Sequence, residues 1–401
     1  MTEIRCRRKI ELFASAEERI LALLVTSMCL QQLDVISLGT GGVQLSHIIA
    51  ICVALCIAAS IGVAAFLKTF LSQPILPLTA VVFYFVLDSV YLLPENGTDP
   101  LVLNYVFLLL GVALSYLIAR ELKWDRVVHV IRLSAMFVLA LVVSNALLHS
   151  GSIVDYWVSR WDGHPNYPTI FDGGVNLEVT WPAMFGVFFS LDRWGVGYNL
   201  AVLFLSVLLS SRAGAILSVM SLLFLMAKTK KYSPKRKIRI VLAVLSSMIV
   251  AALVLSLIGV PLLERFSTIG ADGGSLGRMS IWSYAVKALS DSPLFGYGAG
   301  NAMDAVRELS GVAFQENNVH NIYLQVATDF GMFGLILYFA LIGFFVWKVI
   351  AGRRVDESAA YLIEYLMVGL IQFRGGEPLI ALMVGIWLAK LFHRKPGCKD
   401  D

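Results

Sequence analysis

The sequence predicts an all-α polytopic membrane protein with about twelve transmembrane helices, and three observations carry that expectation. Of the 401 residues, 58% are hydrophobic and only 15% are charged, with a mean hydropathy of +0.76. The apolar residues gather in runs long enough to cross a bilayer. The basic residues between those runs fall overwhelmingly on one side. A water-soluble globule carries about a quarter charged residues, so this chain cannot cover itself with polar surface. Backbone groups in lipid must find partners within their own segment, so the runs are expected to be helices.

In order, the expected spans are 20–37, 45–67, 74–93, 100–119, 132–149, 179–191, 195–210, 213–227, 240–259, 321–347, 358–373 and 376–392. Most reach the roughly 20 residues that a bilayer requires. The two shortest, joined by Leu191-Asp192-Arg193-Trp194, read as a tight helical hairpin. The stretch after Arg19 is long and has no small-x-small cleavage site, so it is expected to stay as the first helix. With the N-terminus inside, 25 of the 32 Lys and Arg residues fall on the inner side, as the positive-inside rule demands. The seven outward ones are Arg160, Arg212, Arg265, Arg278, Lys287, Arg307 and Arg374. The net charge of +4 is therefore topology, and the Lys228–Arg239 run is a stop-transfer loop between spans, not a nucleic-acid surface.

The unit reads as a single integral membrane domain over residues 1–401, with two sizeable outward loops at about 150–178 and 261–320. Within the second, Gly277 to Ser290 reads as an amphipathic helix, with Ile281, Trp282, Ala285, Val286 and Leu289 on one stripe. Pro293 ends it, and Gly296, Gly298 and Gly300 follow. This glycine cluster has no preceding strand and lacks the GxGxxG spacing. It is either a flexible turn or backbone set close to a ligand. None of the five cysteines lies in an outward loop, so no disulfide framework is implied. Cys52 and Cys56 read as ordinary packing.

His320 stands where the second loop meets the tenth span. A histidine at a membrane–water boundary can act as a general base near neutral pH, or simply bond to nearby backbone. Arg212 occupies a short outward break between spans, and Arg374 the turn of the last hairpin. Each can snorkel to headgroups. Several outward arginines around one histidine would also suit an anionic ligand, and guanidinium matches diphosphate well. Asp34, Asp162, Asp172 and Glu178 are the outward acids to test as metal ligands, although none forms a DxD pair and no His/Cys set has metal spacing. Trp157, Trp161, Tyr167, Phe171 and Trp181 can stack on sugar rings or form an interfacial belt. Asp88, Asp329 and Glu364 lie inside apolar runs. They are proton-relay candidates in a transporter, while Asp329, on the His320 helix, can instead orient its neighbours.

His320-Asn321, nine residues, then Gly331-Met332-Phe333-Gly334 resembles the H[NSQ]-x9-Gxx[GTY] signature of the O-antigen ligase / O-antigen polymerase family. Arg278, Trp282, Ala285, Pro293 and Gly296, Gly298 and Gly300 resemble the stretch before that signature, and Ser211-Arg212-Ala213-Gly214 resembles the family's upstream arginine site. Ile216 stands where a ligase R-x3-L element has leucine. The resemblance implies a GT-C-like, metal-independent and cofactor-free glycosyltransferase of the bacterial inner membrane, with both termini cytoplasmic. It would use undecaprenyl-diphosphate-linked oligosaccharide on the periplasmic face, among membrane lipids and beside a chain-length co-polymerase and a flippase. His320 would be catalytic, with Arg212, Arg278, Arg374, Asn321 and Tyr323 binding diphosphate or substrate. Arg374-Gly375-Gly376-Glu377 resembles a pattern late in polymerases and favours polymerase over ligase. A lipid-linked glycan transporter is the alternative of another class.

Overall fold

The computed structural model describes residues 15–30, 34–38, 41–92, 101–158, 165–171, 174–229, 273–352, 355–371 and 378–392, with isolated positions between 233 and 246. Among these residues the protein is helical apart from one short hairpin. Helix α1 (Ala16–Cys29) is capped by Ser15 and stops well short of the expected end at 37. Strands β1 (Asp34–Leu38) and β2 (Gly41–Gln44) follow, pairing antiparallel with Asp34 opposite Gln44. The β-branched Val35-Ile36 pair suits a strand better than a helix end, which is why the first span is shorter than its apolar run.

The second expected span is broken. Helices α2 (Leu45–Ile61) and α3 (Val63–Phe70) meet at Gly62, whose φ of +88° turns the chain by 117°. Helices α4 (Leu76–Tyr91) and α5 (Leu101–Ala119) fall close to the expected spans. Helix α6 (Trp124–Leu148) starts eight residues before the expected 132. A helix, α7 (Ser150–Val158), occupies the start of the first outward loop, where no element was expected. Helices α8 (Val175–Phe185), α9 (Arg193–Leu208) and α10 (Arg212–Lys228) form a tight up-down-up set, α8 being extended by a short 3-10 turn at Gly186–Phe188.

The second loop holds two helices rather than the one expected: α11 (Gly273–Asp291) and α12 (Ala302–Ser310). Helix α13 (Ile322–Ala351), α14 (Glu357–Val368) and α15 (Pro378–Phe392) complete the chain. The expected span at 240–259 lies outside the described residues. Of the described helices, three are long and apolar enough to cross a membrane, or four if the bent α2–α3 pair is one span. Helices α4, α9 and α15 are apolar but shorter.

One large core joins α1, α5, α6, α8, α10, α14 and α15 around Leu24, Val142, Phe185 and Tyr361. Helix α15 lies hard against α5: a Cβ on Gly385 would sit 2.0 Å from Ser115 Oγ and 2.3 Å from the Val112 carbonyl. Small residues that admit such backbone approach are what hold apolar helices together where no hydrophobic drive separates them from lipid. A second core stacks Phe85 of α4 on Phe330 of α13, centroids 3.9 Å apart. A third packs Ile281, Met303 and Val319 beneath the second loop. Cys29 is buried, whereas Cys52 and Cys56 are exposed on α2, so that pair does not pack inward as expected.

The residues assigned to the inner side meet one another. Arg126 grips buried Glu18 through two hydrogen bonds of 2.6 and 2.5 Å. Lys228 pairs with Glu357, and Lys390 lies 3.1 Å from Asp356 and over the Trp124 ring at 3.6 Å. Arg132 donates to the Phe188 carbonyl.

Candidate functional site

His320 is set by its backbone before its side chain. Its φ is +55°, and with Ser210 (φ +63°) it is one of two described non-glycine residues in the left-handed region. That conformation costs an L-residue about 1–2 kcal/mol, so the surroundings must impose it. Asn318 Oδ1 accepts the His320 N–H at 2.9 Å. Asn321 then caps α13, its Oδ1 accepting from Tyr323 and Leu324 N–H at 3.0 Å each. Its Nδ2 donates to the Leu370 carbonyl at 3.0 Å. Ile322 N–H donates to the Gly369 carbonyl at 2.7 Å, and the Tyr323 hydroxyl to the Leu366 carbonyl at 2.9 Å. Asn321 and Tyr323 were expected to bind substrate; in the structure both anchor the His320 turn to the end of α14.

The second left-handed residue introduces Arg212. Helix α9 ends in a Schellman motif: Ser210 N–H reaches the Val207 carbonyl at 3.0 Å and Ser211 N–H the Ser206 carbonyl at 2.7 Å. Serine takes the αL position that glycine usually fills. Ser211 then caps α10 by accepting from Gly214 N–H at 3.2 Å. Two residues thus reverse the chain and leave half-buried Arg212 on the first turn of α10.

Register along α14 relates the two turns. Helix α10 runs antiparallel to α14, with Lys228 against Glu357 and Ser221 Oγ 3.0 Å from Glu364 Oε1. Following both helices at about 1.5 Å per residue, the start of α10 comes level with the residues just past α14. Those are the residues whose carbonyls hold Asn321 and Ile322. Arg212 and His320 therefore stand at the same end of the bundle, opposite the ion pairs.

Arg278 lies on α11, one turn before Trp282, whose indole donates to the Val319 carbonyl at 2.8 Å. It is thus one turn from the residue that bonds Val319, the neighbour of His320. The glycine cluster after α11 docks into a break in α13 at Gly331 (φ +64°, ψ −169°). There Tyr297 N–H meets the Thr328 and Asp329 carbonyls at 3.1 Å, and Gly298 N–H meets that of Asp329 at 2.7 Å. Met332 N–H reaches back to the Pro293 carbonyl at 2.8 Å. A Cβ on Gly331 would lie 2.2 Å from Leu294 backbone. The cluster is therefore a docked strap rather than a flexible turn, with Gly296, Tyr297 and Gly298 N–H donating to carbonyls and Ala299 N–H to Ser89 Oγ at 3.0 Å. Burial, followed by the Asp291 and Glu308 carboxylates, raises the Tyr297 phenol above its ordinary value.

Several expected candidates have other roles. Arg307 holds the strand leading to His320, donating to the Phe314 carbonyl at 3.1 Å and the Glu316 carbonyl at 2.5 Å. Glu178 is buried and accepts the Ile170 N–H, which ties α8 to the first outward loop. Tyr167 stacks on His149 at 5.1 Å, and Phe171 and Trp181 are core residues rather than a sugar platform. The Trp157 indole donates to the Leu208 carbonyl at 2.9 Å, just before the Arg212 turn. Arg374, Asp162, Asp172 and Trp161 lie outside the described residues, and only the backbone of Asp34 is described. Among the described residues no three His, Cys, Asp or Glu side chains group as a metal site. Asp88, Asp329 and Glu364 lie beside Tyr84, Gln325 and Ser221 respectively. Sequence reasoning passed over Gln325. Its signal was available: Asn321, Gln325 and Asp329 are spaced by four on an otherwise apolar helix.

No curated protein matches the chain. A family model described as O-Antigen ligase matches residues 198–339, from α9 through Arg212, Arg278, His320 and Gly331 to the first half of α13. Over that segment, about a third of the chain, the protein is similar to the O-antigen ligase family, and its long apolar helices are those of a membrane protein.

Proposed function

We propose that this protein is a surface-polysaccharide polymerase, a glycosyltransferase that moves glycan from undecaprenyl diphosphate to the next lipid-linked repeat unit on the periplasmic face. What supports this reading is that Arg212 and His320 stand at the same end of the bundle, with Arg278 one helical turn from Trp282, which bonds the residue before His320. His320 takes the proton of the acceptor hydroxyl as that oxygen attacks the anomeric carbon. The bond from that carbon to the diphosphate oxygen breaks, with inversion, and undecaprenyl diphosphate leaves. Arg212 and Arg278, joined by Arg374, neutralise the charge that develops on the departing diphosphate. Fixed guanidinium groups in a low-dielectric site do this well, so the reaction needs no metal or cofactor. Asn321 and Tyr323 fix the turn that carries the histidine.

The twelve-span, GT-C-like architecture, the cytoplasmic termini, and a chain-length co-polymerase and flippase as partners belong to the same reading. The ion pairs at the end opposite His320 support the orientation, since a cation-rich end is the cytoplasmic one. The family description favours a second reading, a ligase that moves finished polymer onto lipid A–core. Purified protein incubated with undecaprenyl-diphosphate-linked repeat units alone separates them. A ladder of lengthening products supports the polymerase. Transfer that begins only when lipid A–core is added supports the ligase, and uptake of lipid-linked glycan into vesicles without any transfer supports a transporter.

A further inference from the structure

The His320 turn is held by a second set of contacts that no substrate would touch. Val319 N–H donates to Gln325 Oε1 at 2.9 Å, and Gln325 Nε2 donates to Asp329 Oδ2 at 2.9 Å. Asp329 Oδ1 accepts the Ala302 N–H at 3.0 Å, at the first residue of α12. The Asp329 carbonyl takes Tyr297 and Gly298 N–H from the docked strap. Gln325 is 2% exposed and Asp329 is fully buried. Meanwhile Trp282 fixes the other side of Val319 through its carbonyl. The peptides on both sides of Val319 are thus clamped, one from α13 and one from α11, directly before a histidine in a strained conformation.

We propose that Gln325 and Asp329 are positioning residues for the reaction: they set the backbone at 318–320, and so the aim of the His320 imidazole, without contacting substrate. The proposal rests on the reading of His320 as the group that activates the acceptor. A plain structural role predicts lost folding when the relay is broken. A positioning role predicts lost turnover in protein that remains folded, because misplacing a reacting group by about 1 Å costs on the order of a hundredfold.

The polarity of the relay makes the distinction testable. Gln325→Glu sets two carboxylates face to face, and Asp329→Asn sets two amide donors face to face. The double variant Gln325→Glu/Asp329→Asn restores every hydrogen bond, with donor and acceptor exchanged only between residues 325 and 329. Turnover of lipid-linked repeat units is measured on each purified variant, per molecule eluting as a folded monodisperse species. Each single variant should lose about ten- to a hundredfold in kcat, with KM for the donor within about twofold of wild type. The double variant should recover to within about threefold. Activity of Gln325→Glu should also rise relative to wild type as pH falls, because a carboxyl beside a carboxylate holds its proton to higher pH and the protonated form again donates. Single variants with full kcat per folded molecule overturn the proposal, as does a folded double variant that stays as slow as the singles. His320→Ala, run in parallel, separates the two claims: if it turns over normally, the reading of His320 fails; if it is dead while the singles are unimpaired, only the positioning proposal fails.

Discussion

The two ends of this molecule are built differently. At one end, cations and carboxylates from five helices pair off: Arg126 with Glu18, Lys228 with Glu357, Lys390 with Asp356. Each backbone there is ordinary, and side-chain charge ties the helices together. At the other end the two turns are held in another way. The backbone carries the unusual conformation instead, at Ser210 and His320, and neutral hydrogen bonds from Asn318, Asn321, Gln325 and Trp282 hold it. An end built for stability satisfies its charges internally. An end built for chemistry accepts local strain, which clusters at functional sites.

The largest expected effect follows from this contrast. His320→Ala should reduce polymer formation by about 10²–10⁴-fold, the usual contribution of a general base, with membrane insertion unchanged. His320→Gly should be equally inactive yet more stable than His320→Ala by about 1 kcal/mol, because glycine relieves the positive φ. Thermal unfolding of the two variants in detergent measures this. A His320→Gly variant no more stable than His320→Ala would remove the claim of strain.

Next comes the charge of Arg212. Arg212→Ala should lower turnover by about 10²–10³-fold, the loss typical of one donor to a developing oxyanion. Arg212→Lys should restore part of it, since lysine keeps the charge but not the forked geometry. Steady-state rates with diphosphate-linked donor decide this, and Arg212→Ala turning over as wild type would contradict it. At the opposite end, Arg126→Met strands buried Glu18 and should cost about 2 kcal/mol of stability, with kcat per folded molecule intact. A selective loss of kcat there would erase the difference between the ends. The smallest expected effect is that of chelation: turnover in EDTA should stay within about twofold of the untreated rate, because arginines supply the positive charge.

Much of this was legible in the residues. Apolar runs of bilayer length located most helices, and the spacing of His320, Gly331 and Gly334 pointed to the turn before α13. The amphipathic stripe around Trp282 found α11. What escaped detection involves backbone and long-range pairing. Gly62 and Gly331 break their helices, yet a glycine in an apolar run reads equally well as a packing contact, and only φ and the docked partner decide. The strap at Pro293–Gly300 looked open because its partners lie some thirty residues on, in α13. The bonds from Asn321 and Tyr323 to the end of α14 were not visible because a polar residue at a helix start has the same spacing whatever its side chain holds. Helix α12 and the 34–44 hairpin were hidden by shortness, since neither has enough residues to establish a period.

The measurement that tests the account most directly compares both ends in one assay. Purified wild type, His320→Ala and Arg126→Met are given undecaprenyl-diphosphate-linked repeat units without lipid A–core, and products are resolved by length. A ladder from wild type and from folded Arg126→Met, with none from equally well-folded His320→Ala, is the predicted result. A ladder of normal length from His320→Ala would contradict the account and place the chemistry elsewhere in the molecule.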